Sequence, residues 1–125
     1  MSFRNLGMPE RLEKAKVLLE DISSSLVLVE GKKDVAALRR LGIEATPYYN
    51  KREILKKERT RATILTDIDE DGDRICSYLE QELLSIGYKV DTHSRRKLAS
   101  LLEIRKFEEI ARRFESEVVI WQRPI

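Results

Sequence analysis

Two short apolar runs, each ending abruptly in carboxylates, constrain this chain more than any other feature. Leu26-Val27-Leu28-Val29 stops at Glu30, and Ala62-Thr63-Ile64-Leu65 runs through Thr66 into Asp67-Ile68-Asp69-Glu70-Asp71-Gly72. A continuous apolar run of four residues, without polar alternation, fits a strand covered on both faces. After each acidic segment the apolar spacing changes to three and four. Val35, Ala36, Leu38 and Leu41 follow the first, and Ile75, Leu79, Leu83 and Ile86 follow the second. Gly42 and Gly87 stand where helix C-terminal caps belong. Both acidic segments therefore fall between the end of a strand and the start of a helix.

The remaining segments continue this alternation. Pro9 opens a helix over about 9–22, with Leu12, Ala15, Leu19 and Ile22 on one face and Ser23 to Ser25 ending it. A short strand is expected around Ile43 to Ala45, before Pro47, and then a polar helix carrying Lys51, Arg52, Lys56 and Lys57. Tyr88 to Val90 reads as a further strand, Arg105 to Phe114 as a helix, and Val118-Val119-Ile120 as a final strand. The motif core spans 26–83, and a C-terminal helix and strand occupy about 95–121. Alternation of this kind predicts a single α/β domain over 1–125. Its sheet is mostly parallel, of about four to five strands, with helices on both faces and the ligand site beyond the carboxyl ends of the strands.

At 125 residues the chain has room for one sizeable core. Its 24 Lys and Arg against 22 Asp and Glu leave a formal charge of +2, so any electrostatic site must come from local clustering. The lone Cys76 excludes an intrachain disulfide, and with a single His93 it cannot build a Cys/His zinc site. A reducing, cytoplasmic setting is expected. No segment has the length and apolarity of a membrane span or the apolar core of a signal peptide.

The parallel topology would bring Glu30, at the end of one strand, to Asp67 and Asp69, at the end of another. Several carboxylates at one sheet edge repel one another unless a cation neutralises them. Hard oxygen ligands suit Mg²⁺, with Mn²⁺ as a substitute, bound through one or two carboxylates plus substrate phosphate. Asp-x-Asp spacing in extended chain aims Asp67 and Asp69 the same way, and Asp71 extends the candidate metal set. Glu30 is placed to accept or donate a proton at a reacting oxygen, or to complete the metal shell. Gly31 allows close approach of a phosphate, and Lys32 and Lys33 lie at a helix N-terminus, which favours anions. The blander readings are a charged loop with solvated lysines and, for Asp67 to Gly72, a turn with Asp capping the next helix. A calcium loop matches Asp67, Asp69, Asp71 and Gly72. It fails at its twelfth position, where Tyr78 replaces the bidentate Glu, and it needs a helix before the loop. A haloacid-dehalogenase-like phosphatase also places Asp-x-Asp after a strand, but Asp71 stands where that motif has a hydroxyl residue.

Val27-Leu28-Val29-Glu30-Gly31-Lys32-Lys33-Asp34 resembles the first Toprim motif, a hydrophobic strand followed by Glu-Gly-x-x-Asp and a helix. Ile64-Leu65-Thr66-Asp67-Ile68-Asp69-Glu70-Asp71-Gly72 resembles the second, Asp-x-Asp-x-x-Gly after a strand. The chain looks most like the small stand-alone archaeal Toprim proteins, and the likeness covers about Leu26 to Leu83. It implies a Toprim, Rossmann-like fold, Glu30 as general acid or base, and Asp67 and Asp69 as Mg²⁺ ligands. Asp34 would be a supporting residue. The chain lacks the extra domains with which topoisomerases and primases grip DNA, and no Tyr can be assigned as a strand-cleaving nucleophile.

Two basic segments remain. Lys51 to Arg61 reads as a solvated face with Glu53 and Glu58 available for pairing. Arg95 and Arg96, after the strand ending near Val90, are candidates for phosphate contact together with Gly72. Tyr48, Tyr49 and Trp121 are more readily core or partner contacts than base-stacking platforms. Two function classes follow. One is a Mg²⁺-dependent nuclease or nucleotidyl-transferase-like enzyme on nucleic acid. The other is a non-catalytic nucleic-acid-binding or adaptor module, in either case with room for a protein partner.

Overall fold

The computed structural model describes residues 3–121, with side chains through residue 115. Four strands, β1 (Leu26–Val29), β2 (Ala45–Pro47), β3 (Arg61–Ile64) and β4 (Lys89–Asp91), form one sheet in the order β2-β1-β3-β4. Every pairing is parallel. Helices α1 (Met8–Ile22), α2 (Lys32–Arg40), α3 (Lys51–Leu55), α4 (Glu70–Ser85), α5 (His93–Leu102) and α6 (Ile110–Trp121) complete the fold, with a 3-10 turn over Phe107–Glu109. The expected α/β class with a parallel sheet and helices on both faces is what forms.

The continuous apolar runs are explained by two separate cores. Successive side chains of a strand point to opposite faces. Val27 and Val29 accordingly enter a core with α1, α2, α5 and the start of α6, whose largest fully buried members include Leu38, Leu98, Leu101 and Phe107. Leu26 and Leu28 enter the other, with Ile64, Ile54 of α3, and Cys76, Leu79 and Leu83 of α4. Strand β1 has no polar face because neither side of it meets water. Gly42 and Gly87 follow α2 and α4 with φ of +78° and +95°, the left-handed conformation that closes a helix without a Cβ penalty.

Three expectations need correction. The second strand runs over Ala45–Pro47 rather than Ile43 to Ala45. Pro47 is tolerated because β2 is an edge strand, where one face of the ladder needs no donor. The C-terminal region holds two helices instead of a helix and a strand. Helix α5 starts at His93, and the Arg105 to Phe114 segment begins as the 3-10 turn and passes into α6. Val118 to Ile120 lie within α6 and form no strand. β-branched residues favour strands only weakly, and a helix already nucleated at Ile110 gains a hydrogen bond with each added residue. The side chain of Trp121 lies outside the described part.

Among the described residues no helix is long and apolar enough to cross a membrane.

Candidate functional site

The strand order reverses direction of growth between β1 and β3. The chain moves outward from β1 to β2 on one side, then returns to place β3 and β4 on the other. Such a switch point opens a crevice beyond the strand ends. Glu30 leaves β1 into this crevice and Asp67 leaves β3 into it, 37 residues apart in sequence. The Asp67 N–H donates to Glu30 Oε2 at 3.0 Å, which brings the two carboxyl groups close to one another.

Burial raises the Glu30 carboxyl to a pKa of about 7. The contact with the Asp67 carboxyl and the negative charges of Asp67 and Asp69 act in the same direction, and the Asp67 N–H partly offsets them. Because the folded-state pKa lies above the unfolded value, folding takes up a proton near neutrality, and stability falls as pH rises from about 4.5 to about 7. Glu30→Gln mimics the protonated form. In chelator, its melting temperature relative to wild type is expected to climb by a few degrees between pH 5 and pH 8. A constant difference across that range would show that Glu30 titrates as an ordinary carboxylate.

Asp67 is fixed on every side. Its Oδ1 accepts from the Phe107 N–H at 3.1 Å, and its carbonyl accepts from Arg95 Nη2. The next residue, Ile68, donates its N–H to the Arg105 carbonyl at 2.8 Å. The loop 103–107 thus lies directly against the acidic segment, a partnership that nothing in the local sequence pattern announces. Asp69 is exposed and is the N-cap of α4, its Oδ1 accepting from the Gly72 N–H at 2.6 Å. The capping role considered for this segment is therefore real, and it leaves Oδ2 of Asp69 available. Asp71 is turned to Arg74, with which it forms an ion pair in the first turn of α4.

Asp34 is buried and reaches back to the Gly31 N–H at 3.0 Å, tying the start of α2 to the end of β1. Burial raises its pKa. Its position suits support of the site rather than contact with a ligand. Gly31 has extended backbone, φ −160°, and a Cβ there would meet nothing within 4 Å. Folding places no demand for glycine at 31, so the open space beside this backbone is free for a ligand. Lys32 and Lys33 are exposed at the N-terminus of α2.

Arg95 and Gly72 face inward. Arg95 is 3% exposed; its Nε donates to the Thr66 carbonyl at 2.7 Å and its Nη2 to the Asp67 carbonyl and to Asp73 Oδ1. That hydrogen bond holds the Asp73 carboxyl below its usual range. Through Nε and Nη2 the guanidinium is a clamp on the acidic loop. Gly72 is buried, its N–H taken by Asp69 and its carbonyl by the Thr66 hydroxyl at 2.7 Å. Arg96, by contrast, is exposed and meets Asp73 Oδ1 at 2.9 Å. In the other basic segment Lys56 pairs with Glu53, Arg59 donates to the Ser25 carbonyl, and Arg61 to the Asp21 carbonyl. Arg59 and Arg61 thus bond within the fold. Tyr48 and Tyr49 stack edge to face at 5.6 Å.

Among the described residues no three His, Cys, Asp or Glu side chains converge into a cage for a metal ion. Carboxylate oxygens alone suit a hard ion, held by one or two carboxylates and completed by water and substrate oxygen.

No protein-family model matches the chain. It is 33% identical over 115 residues to a UPF0292 protein of Methanosarcina barkeri, covering 81% of this chain and 80% of that one. It is 33% identical over 98 residues to a UPF0292 protein of Pyrococcus furiosus, covering 72% and 74%. A third, from Archaeoglobus fulgidus, is 37% identical over 97 residues, covering 72% and 77%. Among solved structures, a protein from Aquifex aeolicus superposes with a TM-score of 0.68 at 28% identity, over 79% of this chain and 97% of that one. With the fold shared and the sequence likeness running through most of both chains, this protein is a member of the UPF0292 family.

Proposed function

We propose that the protein is a Mg²⁺-dependent Toprim-type enzyme that cleaves or transfers phosphodiester or nucleotidyl bonds of nucleic acid in the cytoplasm. The observation that carries this reading is the pairing of Glu30 with Asp67 across the switch point. It gives a carboxyl titrating near neutrality beside a fixed carboxylate. A general acid or base works best with a pKa near the working pH, and in the metal-free protein burial raises that of Glu30 to about 7. The open backbone at Gly31 and the adjacent Lys32 and Lys33 support approach of a phosphate from the α2 side.

In this reading Asp67 and Asp69 hold Mg²⁺, with Mn²⁺ able to replace it. When bound, the ion supplies charge neutralisation at the phosphoryl oxygens. Glu30 moves the proton at the attacking or leaving oxygen, Asp34 keeps the β1–α2 junction in place, and Arg95 keeps the Asp67 loop in place. A buried, reduced Cys76 accords with the cytoplasmic setting. The lack of a three-ligand cage among the described residues favours a second reading, a nucleic-acid-binding or adaptor module without turnover.

Mn²⁺ binding followed by electron paramagnetic resonance separates the two. With a nucleic-acid oligomer present, wild type is expected to bind saturably, and Asp67→Asn and Asp69→Asn are each expected to weaken binding at least tenfold. No saturable Mn²⁺ binding with or without oligomer would overturn the enzyme reading and leave the module.

A further inference from the structure

A groove of about 620 Å³ opens beside the acidic loop, between α5 and the segment that carries Arg105. Its floor is apolar and includes Phe3, Ile68 and Ile104, while Arg96, Lys97 and Arg105 stand at its rim. Ile68 is the residue between Asp67 and Asp69, so the groove adjoins the acidic loop through the Ile68 side chain, while the two carboxylates lie outside its lining. The hydrogen bond from the Ile68 N–H to the Arg105 carbonyl fixes that relation.

The rim is cationic without being neutralised. Lys97 and Arg105 are exposed, and among the described residues neither has a carboxylate partner; only Arg96 has one, in Asp73. Two unpaired cations on either side of an apolar floor match one class of ligand. A single nucleic-acid strand offers phosphates for the rim and an unpaired base face for the floor. A duplex keeps its bases stacked inside and would bring only charged backbone against Ile68 and Ile104, where desolvation has no compensation. The volume lies within the roughly 300–1,000 Å³ usual for ligand clefts.

We infer that this groove binds a single strand of nucleic acid, with Lys97 and Arg105 on its phosphates and a base against Ile68 and Ile104. The inference rests on the proposed function only in taking nucleic acid as the ligand. Binding itself needs no metal and no turnover.

The test is fluorescence anisotropy in EDTA with labelled DNA and RNA strands and duplexes of equal length. Wild type is expected to bind a single strand at least tenfold more tightly than the duplex. The tighter of the DNA and RNA strands identifies the substrate. Lys97→Ala/Arg105→Ala removes side chains only, leaving the Arg105 carbonyl that holds Ile68. It is expected to weaken strand binding at least tenfold and to reduce the salt slope by roughly 1.4, about 0.7 for each phosphate that the variant leaves unneutralised. Lys51→Ala/Arg52→Ala on α3 should change affinity less than twofold. Wild-type affinity and slope in the groove variant, equal binding of strand and duplex, or no strand binding at low salt would each overturn the inference. Strand binding through the groove with no metal-dependent turnover would instead remove the enzyme reading and leave the groove standing.

Discussion

Glu30→Gln is expected to lower metal-dependent turnover by roughly 10²–10⁴-fold while leaving nucleic-acid affinity within about twofold. Glutamine keeps the oxygen that accepts from the Asp67 N–H and adds an N–H suited to the Asp67 carboxylate, so the loop geometry should survive. What disappears is the capacity to take or give a proton at pH 7. The wild-type profile then identifies the direction. Activity that rises with pH through the Glu30 pKa marks a base, and activity that falls marks an acid. The limb should be missing from whatever residual activity the Gln variant retains. Turnover within twofold of wild type would remove Glu30 from the chemistry and leave it as a partner of the Asp67 backbone.

The second large effect is on folding. Gly72→Ala would set a Cβ 1.7 Å from the Asp67 carbonyl oxygen and 2.7 Å from its carbon, with Arg95 Nη2 at 3.1 Å. Neither backbone atom can withdraw cheaply. Arg95 holds the carbonyl, and Asp69 and Thr66 hold Gly72 from both sides. Overpacking of a fixed site costs about 3 kcal/mol or more, which lowers the melting temperature of a domain this size by on the order of 10 °C. Thermal unfolding measures it. A variant that melts with wild type would mean that the first turn of α4 moves freely against the acidic loop. The glycine of the second motif is thus required by packing, although its sequence context suggests a phosphate contact. The glycine of the first motif stands in open space.

The same contrast shows what the sequence can and cannot carry. Strands β1 and β3 and helices α1, α2 and α4 are legible because burial on both sheet faces, helical spacing and capping glycines are local signals. The meeting of Glu30 with Asp67 follows from topology, since parallel strands put their carboxyl ends together. The clamp made by Arg95 is illegible because a guanidinium looks the same in sequence whether it faces water or holds the Thr66 and Asp67 carbonyls. Arg105 and Phe107 escape notice as site residues because they act through main-chain groups, which every residue possesses. The expected last strand fails because Val118 to Ile120 carry strand propensity inside a helix that began eight residues earlier.

The position of the site on two neighbouring central strands has a kinetic consequence. Glu30 and Asp67 acquire each other only when β1 and β3 pair, and between them the chain must first traverse α2, β2 and α3. The contact joins residues 37 apart, and non-local parallel pairing of this kind is intrinsically slower than the formation of local contacts. A peptide ending before β3 would possess Glu30 with no partner, and one beginning after β1 would possess Asp67 with none. The acidic crevice therefore exists only once β1 and β3 have paired, and neither half of the chain carries it alone.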